Sequence, residues 1–238
     1  MSDTKNKQNI NKTDSTIQNS ASVANLNYSG KIKINLCKGK KVLKSKTYSN
    51  NGCGPLFKFI AQCLQGNYRQ AEKLRPNKIQ LYSNLATRPD SANYFGDKVR
   101  PITGFVTSNS PADIGEIRNG EHIIGFKTVL HFLVPAVYID KESLKNPEDD
   151  NNPFSINQIS LYSTKEYNIS NCSAFFYLTK EVKETTEDGS EEITGVDWDG
   201  IGYNDLSENL NLLIDWEMSI ENKSVGEIID TTEEFGGN

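Results

Sequence analysis

Apolar and polar residues alternate with period two from Lys31 onward. Ile32, Ile34 and Leu36 fall on one face, and Lys31, Lys33 and Asn35 on the other, the spacing of a half-buried strand. Cys37-Lys38-Gly39-Lys40 reads as a turn and Lys41 to Ser49 as a return strand, so this stretch predicts a hairpin. Asn50-Asn51-Gly52 breaks the alternation, and Pro55 suits a first helical turn. Leu56, Phe57, Ile60, Cys63 and Leu64 recur at helical spacing. The expected helix, 56–64, turns Leu56, Ile60 and Leu64 toward a sheet, and Gly66 can end it in a left-handed turn. Tyr68 to Leu74 continues as a second short helix.

After Pro76 the chain reads as strands. They are expected at Lys78–Ser83, Arg100–Val106, Ile123–Val134, Ile156–Ser163 and Cys172–Thr179. In the third of these Ile124, Phe126, Thr128, Leu130, Phe132 and Val134 share a face, and Pro135 demotes the strand's end to an edge or a bulge. Glu181–Glu192 reads as an acidic, exposed hairpin tip, and 84–98, 107–120 and 140–153 as exposed loops. In the last strand Leu210, Leu212, Ile214, Trp216, Met218 and Ile220 alternate with Asn211, Asp215, Glu217 and Ser219. One buried and one wet face is the signature of antiparallel sheets. The expected fold is mainly β: an antiparallel β-sandwich, jelly-roll-like, with one or two short α-helices after the first hairpin. The similar strands 77–83 and 156–163 read either as one kind of strand used twice across the sandwich or as a chance similarity. The domain spans 28–222, between an extended polar arm (1–27) and an acidic tail (223–238).

Composition explains the ends. Of 238 residues 36% are apolar, against ~45–50% for an ordinary globular chain, and much of the deficit lies before residue 28 and in the last fifteen or so. Such an arm cannot offset its own ordering entropy and is expected to order only across a neighbour. No run approaches the ~18 apolar residues of a membrane span, and residues 1–27 hold no apolar core of a signal peptide, so synthesis in a cytoplasm without export is expected. Cys37, Cys53, Cys63 and Cys172 lack the close pairing of a zinc site and read as free thiols in a reducing compartment. Net charge is −5, but residues 1–100 hold 18 Lys and Arg against 5 Asp and Glu, and residues 101–238 hold 8 against 26. Either the subunit has a basic and an acidic surface and stacks head to tail, or the halves interleave and the field averages out.

Candidate chemistry is sparse. The histidines are His122 and His131, and there is no G-x-S-x-G, H-E-x-x-H or P-loop pattern; no enzymatic activity and no cofactor are expected. Asp197 to Glu208 partly matches a calcium loop. Asp197, Asp199, Asp205 and Glu208 fall at positions 1, 3, 9 and 12 and Gly202 at 6, but Ile201 at 5 offers no side-chain oxygen and the flanks read as strands. An acidic turn is the plainer reading. Lys31, Lys33, Lys38, Lys40, Lys41, Lys44 and Lys46 make the first hairpin strongly basic. Nucleic-acid grooves pair such charge with aromatic rings, and here only Tyr48 is near. These lysines are therefore expected either to form a solvated strand face or to meet an acidic surface of a neighbouring subunit, such as the run Glu181–Glu192 of another copy. The exposed loops, with Tyr94, Phe95 and Asp97, are candidates for binding glycans.

The order of these pieces resembles a family of tailed-bacteriophage virion proteins found among tail, collar, ring and baseplate-associated components. The similarity runs from Lys31 to Glu221. It lies in a short hairpin, the Asn50-Asn51-Gly52 break into the helix 56–64, Lys78–Ser83, Gly125-Phe126-Lys127-Thr128-Val129 running to Pro135, Ile156–Tyr162, Ala174-Phe175-Phe176, and the strand around Trp216. A glycine-rich G-T-G usual after the first sheet strand is replaced by Leu81-Tyr82-Ser83-Asn84-Leu85, which leaves the subfamily open. The resemblance implies a structural virion role, made in a host bacterium and assembled with copies of itself and other virion proteins, with no catalytic residues. A host-recognition or head-decorating module that binds glycans is the alternative.

Overall fold

The computed structural model describes residues 26–49, 51–52, 54–85, 99–109, 112–163, 172–186, 189–207 and 209–222. Its elements are β1 (Leu26–Lys38), β2 (Lys41–Ser49), β3 (Asn51–Gly52), α1 (Gly54–Leu64), α2 (Tyr68–Leu74), β4 (Lys78–Asn84), β5 (Val99–Pro101), β6 (Val106–Thr107), β7 (Asp113–Asn119), β8 (His122–Pro135), β9 (Ser155–Ile156), β10 (Gln158–Tyr162), β11 (Cys172–Tyr177), β12 (Thr179–Thr185), β13 (Glu191–Trp198), β14 (Ile201–Gly202) and β15 (Asn211–Asn222). The fold is mainly β, antiparallel throughout, with two short helices, as its alternation predicts. β1 already takes in Leu26 and Asn27, which the sequence assigned to the arm. Residues 1–25 and the tail 223–238 lie outside the described residues.

A five-stranded sheet runs β2-β1-β15-β8-β7, and a six-stranded sheet runs β3-β11-β10-β4-β5 with β6 also on β4. The two face each other. Ile32 and Ile34 of β1, Phe132 and Val134 of β8, and Leu212, Ile214 and Trp216 of β15 meet Ile79 and Leu81 of β4, Ile159 and Leu161 of β10, and Phe176 of β11, in one core. Trp216 and Phe176 join the layers edge to face, 4.4 Å between ring centroids. The expected turn of the first hairpin is made by Gly39, whose φ of +58° is a backbone state favouring glycine.

Five expectations are corrected. First, the similar strands 77–83 and 156–163 lie side by side in one sheet, Leu81 opposite Ile159, and not across the sandwich. Second, the six-stranded sheet has no wet face along β10 and β11. Its outward row is buried too: Gln80, Gln158 and Ser160 are fully buried, with Tyr82, Tyr162, Cys172 and Phe175 in a second apolar cluster. Within that row Gln80 donates to the Thr103 carbonyl at 2.8 Å and the Tyr82 and Tyr162 hydroxyls meet at 2.6 Å, while the Ser173 hydroxyl is buried without a partner. Third, Arg100–Val106 is split into β5 and β6. Pro101 has no N–H to continue a ladder. Ile102 and Thr103 instead bond β4, the Thr103 hydroxyl accepting from Leu81 N–H at 3.1 Å. Fourth, half of 107–120 is the strand β7, hairpinned onto β8 through Gly120 (φ +57°); Gly120 as the first of the two loop residues is the local signal for that turn. Fifth, α1 buries Leu56 and half-buries Ile60, but Leu64 at its far end is 78% exposed.

Candidate functional site

The lysine hairpin divides in two. A bulge between Leu36 and Cys37 sets Lys44 opposite Leu36, Lys46 opposite Ile34 and Tyr48 opposite Ile32. Cross-strand partners share a face, so Lys44 and Lys46 stand on the core side of the edge strand β2. There they meet the acidic turn that follows β13. Lys44 Nζ lies 3.3 Å from Asp205 Oδ2, and Lys46 is ion-paired to Asp199. Lys46 also donates to the Asp199 carbonyl at 3.2 Å, as does the Tyr48 hydroxyl at 3.0 Å. Burial, and then the Asp199 charge, push the Tyr48 phenol far above its ordinary value, so it is a permanent donor. A bulge and inward-pointing charges on an edge strand also discourage pairing with another sheet.

This clasp corrects the neighbour contact read for two of the lysines and bears on the turn's partial match to a calcium loop. Lys44 and Lys46 serve their own chain rather than a neighbour. Asp199 and Asp205 are spent on lysines, Asp205 also accepting from Gly202 N–H at 3.2 Å and Asp197 from Trp198 N–H at 2.7 Å. Glu208 lies outside the described residues. Among the described residues no three metal-ligating side chains converge. The cysteines do not cluster either: Cys37 and Cys172 are buried free thiols, Cys63 is half-buried, and Cys53 lies outside the described residues.

The other five lysines remain on the surface. Lys31 and Lys33 are exposed on the outer face of the five-stranded sheet, opposite Glu217 and Asp215 of β15. Lys38, Lys40 and Lys41 crowd the hairpin tip beside Val42 and Leu43, each about half exposed. A second hairpin carries the opposite charge. Among the described residues β12 and β13 pair only with each other, and their side chains are exposed along nearly the whole length. Residues 179–198 hold seven Asp and Glu against two lysines, and Ile193 and Val196 are exposed among them.

The outer face of the five-stranded sheet also holds His131. Its Nδ1 lies 2.8 Å from Asp215 of β15 and its Nε2 3.0 Å from Asp113 of β7. Both partners are carboxylates, so both ring nitrogens act as donors, which is the imidazolium form. The Asp215 hydrogen bond is the main cause that raises its pKa, against some desolvation. No nucleophile adjoins it among these contacts, and the geometry is that of a charged strut between strands. His122 is exposed at the β7–β8 turn.

The described surface also carries an apolar groove and a polar cleft. An apolar groove of about 520 Å³ opens where the five-stranded sheet passes beyond the six-stranded one, between Tyr28, Phe126, Met218 and Ile220 on the sheet and Leu56 and Ile60 on α1. Ile114, Ile123 and Phe126 at this groove are 78%, 47% and 54% exposed. Phe126 keeps the face its alternation assigned, yet nothing among the described elements covers it. The groove as such has no local signature in the sequence. Opposing it in character is a polar cleft where loop 140–153 meets Asn84, Trp198 and Tyr203: two hollows of about 350 and 290 Å³ that share Asn146 and Pro153. Of the other loop candidates, Tyr94, Phe95 and Asp97 lie outside the described residues. No helix among the described residues is long and apolar enough to cross a membrane. No family model matches the chain, and no curated protein or solved structure matches it either.

Proposed function

We propose that the chain is a structural subunit of a bacteriophage particle, built into its tail, collar or ring through contacts with copies of itself and with other virion proteins. The order of strands and helix that resembles tailed-phage virion proteins supports the phage setting. The observation that carries the assembly role is the pair of oppositely charged hairpins, Lys38-Gly39-Lys40-Lys41 on one and the glutamates of β12 and β13 on the other, each with exposed aliphatic side chains. Complementary fields of this kind fix register more than affinity. Each exposed pair contributes only ~0–1 kcal/mol, so the isolated chain associates weakly, and the contact loosens as the screening length falls from ~8 Å at physiological salt to ~3 Å at 1 M. Sedimentation velocity across a salt series tests this, with Lys38, Lys40 and Lys41 changed together to Glu. The expected result is association at low salt, lost in the charge-reversed variant and regained when that variant is mixed with one carrying Glu181→Lys and Glu184→Lys. An oligomer indifferent to salt and to both reversals would reject the hairpin contact. Absence of the chain's peptides from mass spectra of purified phage particles would reject the virion role.

The polar cleft favours a second reading, a glycan-binding module of the same kind of particle. Amide groups beside the rings of Trp198 and Tyr203 offer hydrogen bonds together with apolar faces, the mixture that oriented binding sites use. A glycan array on which Trp198→Ala binds as the unaltered chain does, or on which neither binds, removes this reading.

A further inference from the structure

The apolar groove lies where the chain leaves the fold. Tyr28 and Ile220, paired across β1 and β15, both line it, and the β1–β15 ladder ends two pairs further on, at Leu26 opposite Asn222. Asn222, the last described residue, therefore lies close to the groove's rim. The segment that follows is Lys223-Ser224-Val225-Gly226-Glu227-Ile228-Ile229-Asp230, with Phe235 beyond. It offers an adjacent pair of large aliphatic residues after a glycine that can turn the chain. Residues 223–227, extended at ~3.3 Å each, reach roughly 16 Å, enough to double back beneath Ile220. Charge agrees. Glu227, Asp230, Glu233 and Glu234 flank these apolar residues, whereas Lys58 is exposed on α1 beside the groove-lining Ile60 and Phe59. Residues 1–25 fit less well, since Ile10 and Ile17 stand alone among polar neighbours and Val23 has only the small Ala24 beside it. A tether this short holds a segment at a millimolar effective concentration, far above that of another copy in dilute solution.

We infer that residues 223–238 fold back on their own subunit and lay Ile228 and Ile229 in the groove, covering Ile114, Phe126 and Met218. This contact is independent of the hairpin contact and of the phage setting.

The test uses the full chain and the fluorescence of 8-anilinonaphthalene-1-sulfonate, a dye that brightens on exposed apolar surface. The unaltered chain should bind little. Ile228→Asp with Ile229→Asp should raise the signal several-fold, a synthetic peptide of residues 223–238 should lower it again, and adding Phe126→Ser should abolish the rise. Ile17→Asp with Val23→Asp should leave the signal low. A chain that binds the dye equally with and without the 228/229 substitutions would overturn the proposal, as would dye that the peptide fails to displace. A rise in the 17/23 variant would assign the groove to the arm. A dimer at micromolar concentration that dissociates in the 228/229 variant would assign it to the tail of a second copy. Either result rejects the proposal.

Discussion

Helix α1 provides a graded test of how the groove end of the sandwich is held. Leu56 is 3% exposed, Ile60 half-buried and Leu64 78% exposed. Burying a leucine completely is worth ~1.5–3 kcal/mol in transfer, and sealed voids carry Leu→Ala losses toward ~5 kcal/mol. Leu56 borders the groove, so its removal widens an open space instead of sealing a void, and most of the cavity penalty is avoided. Leu56→Ala is therefore expected to cost ~2–3 kcal/mol, with Ile60→Ala at about half of that, ~1–1.5 kcal/mol. Leu64→Ala should stay within ~0.5 kcal/mol, as substitutions on open surface do. Urea unfolding followed by tryptophan fluorescence measures all three, since Trp216 is fully buried in the core. The slope against urea should stay constant, so that midpoints alone carry the differences. Equal losses at 56 and 64, or no loss at 56, would show that α1 does not rest on the sheet as described.

Three further outcomes follow from named contacts. A Cβ at Gly125 would lie 2.3 Å from the Ile220 carbonyl oxygen and 2.8 Å from Glu221 Cα, so Gly125→Ala should cost ~1–3 kcal/mol; an unchanged thermal midpoint would contradict that close approach. The raised pKa of His131 means that its strut stabilises fully below the unfolded value near ~6.5 and fades as pH rises through the folded one. His131→Gln should accordingly cost up to ~1 kcal/mol at acid pH, given the partial exposure of the cluster, and little at pH well above the transition. Equal urea losses at both pH values would refute it. Asp199→Ala breaks the pair with Lys46, about a quarter exposed on each side, and should cost ~1 kcal/mol, the upper end for such pairs. Millimolar calcium should produce no saturable heat in calorimetry with the unaltered chain, because Lys46 and Lys44 already hold Asp199 and Asp205. A saturable heat that vanishes in Asp199→Ala would show the opposite.

Alternation by itself determined where the long strands run and which residues face inward. Ile32 to Leu36, Leu130 to Val134 and Leu212 to Trp216 are buried on the face their spacing assigns, because the two-residue period is a property of a single strand. Gly39, the helix 54–64 and the acidic hairpin are likewise local, written in turn chemistry, periodicity and charge. Register was not local. Lys44 and Lys46 look like surface lysines in a basic run, yet one bulged residue in the pairing of β1 with β2 puts them on the core side, in reach of Asp205 and Asp199 more than 150 positions away. Cover was not local either. Phe126 has the same pattern as Phe132, but Phe132 lies under the six-stranded sheet and Phe126 lies beyond it. Gln80, Gln158 and Ser160, polar by every sequence measure, are buried because the chain returns over the back of that sheet, where Thr103 and a tyrosine pair supply hydrogen bonds. A residue's own neighbours in sequence fix the direction in which its side chain points, whereas what it meets there depends on elements brought in from far along the chain, and only their packing decides between core, clasp and open groove.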